Sequence, residues 1–178
     1  MKNFLLLLLI VLLPISLMAE SKNLFQAAEN GDVESAKKLI SKKISINDQN
    51  KDGDTPLIIA GRNGQTDIVK LLLENNAKVN LTNKDGSSAL MEAAFFCNTE
   101  AVRLLVVSKA DVNSRDALGF TVLMKACIAG CEEIVKILIE KKAELNIKNH
   151  NGWSAYMFAK HSGYDNVAQI LKKAGATQ

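Results

Sequence analysis

Two periods govern the apolar and polar positions of this chain. The shorter is helical: in Ile68-Val69-Lys70-Leu71-Leu72 the apolar residues fall on one face of a helix and Lys70 on the other. The longer is fixed at 33 residues. Leu39, Leu72, Leu105, Leu138 and Leu171 stand that far apart, as do Ala60, Ala93, Ala126 and Ala159. Gly53, Gly86, Gly119 and Gly152 keep the same step, and so do Asn47, Asn80, Asn113 and Asn146. The unit is cleanest in 83–115, NKDGSSALMEAAFFCNTEAVRLLVVSKADVNSR. Such a repeat predicts a solenoid in which each unit buries its apolar face only against its neighbours.

The order of signals inside the unit predicts its elements. Asp52-Gly53, Asp85-Gly86 and Asn151-Gly152 are turn dipeptides in which Gly supplies a positive φ. Thr55-Pro56-Leu57 opens a first helix, with Thr as N-cap and Pro at the first helical position. Gly64 ends that helix, and a second begins near Thr66 or Asp67. Ala77 and Val79-Asn80 close the unit. Turn, two antiparallel helices and loop in this order resemble the ankyrin repeat, and the resemblance covers 23–178. It implies an all-α solenoid of about five stacked helix-turn-helix repeats, at 23–49, 50–82, 83–115, 116–148 and 149–178. The Thr-Pro-Leu segment becomes Ser88-Ala89-Leu90, Thr121-Val122-Leu123 and Ser154-Ala155-Tyr156. The His that commonly follows it in the family is replaced by Ile58, Met91, Met124 and Met157, which read as core filling.

The first 19 residues follow another pattern. One Lys precedes an apolar run from Phe4 to Leu13, then Pro14, with Ala19 before Glu20. These are the parts of a secretory signal peptide, with cleavage expected near Ala19 and the repeat domain filling 20–178. The run is short for a membrane span, and an uncleaved anchor is the alternative. The ends of the array carry polar residues in otherwise apolar columns. Lys38 stands with Leu71, Leu104 and Ile137, Ser35 with Ile68 and Ile134, and Lys172 with Leu73, Val106 and Ile139. Outer faces without a neighbour call for this substitution, so the array is expected to be complete.

Charge and chemistry narrow the function. Twenty-two Lys and Arg against 19 Asp and Glu give a net +3, or +2 without Lys2 of the leader. That balance argues against nucleic-acid binding, which needs a concentrated basic face. His150 falls on a turn tip and His161 on the first helix of the last repeat, with no positioned base, nucleophile or metal-ligand partner beside either. No catalytic residue, metal site or cofactor is expected. Cys97 occupies the column of Gly64, Gly130 and Gly163, Cys127 lies in the next first helix, and Cys131 in the turn after it. Equivalent residues of adjacent ankyrin-like repeats lie about 10 Å apart, beyond the roughly 7 Å a disulfide allows. Three small buried or half-buried thiols are therefore the expectation. A thiol-based redox or metal-handling role for the trio is the alternative.

The resemblance also implies a binding face, since ankyrin repeats grip partners with their turn tips and the exposed side of the first helix. Those columns hold Arg62, Phe95, Phe96, Leu118, Phe120, Ile128, Trp153 and His161. Six large apolar groups on one concavity exceed what a soluble monomer leaves exposed, and aromatic anchors within a polar rim mark a hot spot; sideways packing of some of these rings onto the neighbouring repeat is the alternative. The sequence thus predicts a non-enzymatic, monomeric adaptor that binds another protein through its concave face. It is expected in the periplasm or secreted, free of the membrane after cleavage. An effector exported from a bacterium to bind host proteins is the remaining alternative.

Overall fold

The computed structural model describes residues 24–177, so the leader expected at 1–19 lies outside the described residues. Helices come in antiparallel pairs. Residues 24–30 are helical (α1) and pair with α2, Val33–Ser41. The later pairs are α3 Pro56–Arg62 with α4 Thr66–Glu74, and α5 Ala89–Phe95 with α6 Thr99–Val107. Then follow α7 Val122–Ala129 with α8 Glu132–Glu140, and α9 Ala155–His161 with α10 Asp165–Lys173. Each inner helix packs on the inner helices of adjacent repeats, and each outer helix on its outer neighbours, giving an all-α repeat solenoid.

The columns read from the sequence are the core. Ala60, Ala93, Ala126 and Ala159 are fully buried, as are Leu72, Leu105, Leu138 and Leu171. Ile58, Met91 and Met124 are buried too, so the positions lacking His are filled by apolar volume. Thr55, Ser88, Thr121 and Ser154 each cap an inner helix, the side-chain oxygen accepting from the backbone N–H three residues on. At the N-terminal end of the array Ser35 and Lys38 are exposed, as Lys172 is at the other, consistent with polar end faces.

Two Asn or Asp columns hold the loops. The side-chain oxygens of Asn50, Asn83, Asp116 and Asn149 each accept from backbone N–H groups two and four residues later, which shapes the turn. Adjacent turns are stitched together: the N–H of Lys84, Ala117 and His150 donates to the carbonyl of Asp52, Asp85 and Leu118. On the far edge, Asn47, Asn80, Asn113 and Asn146 accept from the N–H of Lys78, Asp111, Glu144 and Thr177 in the following repeat. That second column explains a periodicity to which the sequence alone assigned no task.

Candidate functional site

The concave face is built by three columns that meet across each inner helix. One lies just past the turn (Asp54, Ser87, Phe120, Trp153), one in mid-helix (Ile59, Glu92, Lys125, Phe158) and one at the helix end (Arg62, Phe95, Ile128, His161). In the second and third repeats the layer is ionic. Arg62 donates two bonds to the Asp54 carboxylate, at 2.7 and 3.0 Å, and one to Glu92 at 2.8 Å. Asn83 Nδ2 adds a bond to Asp54 at 2.9 Å. The bonds to Asp54, then to Glu92, raise the Arg62 pKa further above its ordinary value against the opposing effect of burial.

In the fourth and fifth repeats the same layer is aromatic. Phe120 and Trp153 each lie against Phe158, with ring centroids 5.3 and 5.1 Å apart, and His161 meets Trp153 edge-on at 5.1 Å. Lys125 sits 4.9 Å over the Phe120 ring and pairs with Asp116 at 2.8 Å. Phe120, Ile128 and Trp153 are half-buried, which corrects the expectation of six exposed apolar groups on one concavity. The rings of Phe120 and Trp153 turn sideways onto Phe158, in line with the packing alternative. Phe158 is the residue that sequence reasoning missed; its aromatic ring in the column of Glu92 and Lys125 was the available signal.

Between these layers the face is uncovered. Phe95, Phe96 and Leu118 are 40%, 51% and 64% exposed. Phe95 and Phe96 meet edge-to-face at 5.2 Å, which rigidifies the pair. The cause lies in the column past the turn: where Asp54 bonds Arg62 and the Trp153 ring meets that of His161, the third repeat offers Phe95 only the small side chain of Ser87. The result is a depression of about 480 Å³ walled by Arg62, Glu92, Phe95, Phe96, Leu118 and Lys125, with Asp85 at its lip. Of the residues expected at the interface, Arg62, Phe95, Phe96 and Leu118 converge here. Phe120, Trp153 and His161 form the separate aromatic layer.

The cysteines depart from expectation: Cys97 and Cys131 are disulfide-bonded, their Cα atoms 5.4 Å apart. The two are 34 residues apart, not 33, so they are not equivalent positions. Cys131 belongs to the column of Gln65, Asn98 and Tyr164, which reaches back onto the preceding repeat. Gln65 donates to the carbonyl of Glu29, and Asn98 to those of Gly61 and Arg62 at 2.9 and 2.8 Å. These side chains sit over the glycine column, so that a Cβ on Gly64 would come within 2.7 Å of Asn98 Oδ1. At Cys97 the backbone is left-handed (φ 57°), and its side chain fills the place a glycine leaves open, bonded to the residue arriving from the next repeat. Cys127 is free, buried in the small-residue column of Gly61 and Ala94, and burial pushes its thiol up to about 12.

Chemically the face offers apolar rings, paired charges and backbone groups. Among the described residues no cluster of three or more His, Cys, Asp or Glu is placed to hold a metal ion. The family model for ankyrin repeats (3 copies) matches 24–116 and again 98–178. No curated protein matches the chain with significance.

Proposed function

The chain belongs to the ankyrin-repeat family, whose members are generally protein–protein interaction modules and non-enzymatic scaffolds, and from that premise we propose that it is an adaptor binding a protein partner on its concave face. The observation that carries the reading is the uncovered Phe95–Phe96 pair beside Leu118, ringed by ion-paired side chains. Rigid aromatic groups in a polar rim lose little entropy on docking and gain most from losing water.

The adaptor acts outside the cytoplasm. Its leader has the layout of a signal peptide, and a disulfide between neighbouring repeats persists in oxidising compartments. N-terminal sequencing of exported protein should begin near Glu20; a chain still starting at Met1 would rule out cleavage. The thiol-based alternative has less support, since one bond takes two of the three thiols into the contact between repeats and the third is buried.

The binding face is tested by crosslinking in producing cells, comparing wild type with Phe96→Ala. A partner species captured by wild type should fall by about 30-fold or more for the variant, as a hot-spot loss of roughly 2 kcal/mol implies. The variant's melting temperature should be nearly unchanged. Equal capture by both proteins would show that the partner docks elsewhere.

A further inference from the structure

We propose that the depression beside Phe96 takes an extended partner segment that carries a lysine or arginine next to an apolar side chain. The inference rests on the concave-face reading above and adds the chemistry of the partner. It comes from which charges in the depression are already satisfied. Arg62 is neutralised by Asp54 and Glu92, and Lys125 by Asp116. Both lining cations are thus engaged, with three carboxylates between them. Asp85, which also lines the depression, makes no ion pair or side-chain hydrogen bond among the described residues, and it is exposed. What the depression lacks is a cation.

The apolar half of the specificity lies beside it. Leu118 stands at the turn tip of the fourth repeat where Asp52 and Asp85 stand at those of the second and third, and it lines the same depression as Phe96. An apolar side chain inserted between Phe96 and Leu118 loses water on both sides, which the small Ser87 does not achieve for Phe95. With that side chain anchored, a basic neighbour along the segment meets Asp85. An acidic segment would meet an unpaired carboxylate and would find no free cation in the depression, so it is rejected by repulsion as well as by lack of attraction.

The test is panning a library of random linear peptides against the full-length oxidised protein, followed by affinity measurement on the enriched sequences. The expected enrichment is an aliphatic or aromatic residue beside Lys or Arg. For a selected peptide, Asp85→Asn should weaken binding about fivefold, Asp85→Lys should weaken it further, and added salt should do the same. Asp85 is exposed at a turn tip, so both variants should melt like wild type. Peptides that need Phe96 but show no basic preference would overturn this inference and leave the concave-face reading standing. Peptides that bind the Phe96→Ala variant as well as wild type would overturn both, and enrichment of acidic peptides would overturn the inference directly.

Discussion

Consider the Cys97–Cys131 bond reduced in an otherwise intact protein. The bond closes a loop with a sequence separation of 34. By the chain-entropy relation a loop of that size restricts the unfolded chain by about 4 kcal/mol at room temperature. Reduction should therefore remove about that much, and what remains at the site is a non-glycine residue in a left-handed backbone. That conformation costs a β-carbon-bearing residue roughly 1–2 kcal/mol. The junction between the second and third repeats shows how the site is built without sulfur: glycine at position 64, and an asparagine at 98 that bonds two carbonyls. The double variant Cys97→Gly/Cys131→Asn copies that arrangement. It relieves the left-handed strain and adds up to two hydrogen bonds at about 1 kcal/mol each, less the extra chain entropy of glycine. It should recover roughly half of the loss, whereas Cys97→Ala/Cys131→Ala should recover none. Denaturant unfolding followed by far-ultraviolet circular dichroism, with and without reductant, measures all four species. If reduction leaves the midpoint unmoved, the bond is either absent or redundant. If the Gly/Asn variant is no more stable than the Ala/Ala variant, the exchange between these columns has been misread.

Four further outcomes follow from the packing. Unfolded without reductant, the protein should expose one reactive thiol, and with reductant three; in the native state Cys127 should resist alkylation, because its raised pKa keeps it protonated and buried until pH approaches about 12. The same shift makes Cys127 favour the folded state fully below the ordinary thiol range, a contribution lost as pH climbs through it towards about 12. Ala93→Leu puts bulk at a fully buried contact between stacked helices and should cost on the order of 1–3 kcal/mol, read as a lower denaturation midpoint. Trp153→Ala should destabilise by roughly 2 kcal/mol, about half the cost of emptying a fully buried aromatic site, while Phe96→Ala should cost much less; the reverse order in thermal melts would undo the division of the concave face.

The stack was legible because each column has a single task repeated at a constant step. The burial of Ala93, the caps at Thr55 and Ser88, and the positive φ of Gly53 and Gly86 all follow from local chemistry plus that step. Contacts that cross the columns were not legible. Cys97 and Cys131 are brought together by a one-residue departure from the period, which comparison of equivalent positions is blind to. Likewise the exposure of Phe95 depends on Ser87, eight positions earlier, and the cover over Phe120 depends on Phe158 in the next repeat. The columns thus pointed to the exposure of Phe95, Phe96 and Leu118, whereas the partition of the face into an open depression and a closed aromatic layer depends on contacts between columns.

In a linear array each repeat is held only by those beside it, so a pulling force peels units from the two ends and the break travels inward. The covalent link between the third and fourth repeats sets a point that such a break cannot pass. Phe95 and Phe96 lie immediately before one of the linked residues, and Leu118 on the turn leading into the repeat that carries the other. Arg62, Phe95 and Phe96 lie outside the loop that the bond closes and Leu118 lies inside it, so a break arriving from the N-terminal end halts at Cys97 with the Leu118 turn still shielded until sulfur is reduced. Force from the N-terminal end would therefore strip the Phe95–Phe96 wall first, while the turn that carries Leu118 stays within the clasped loop.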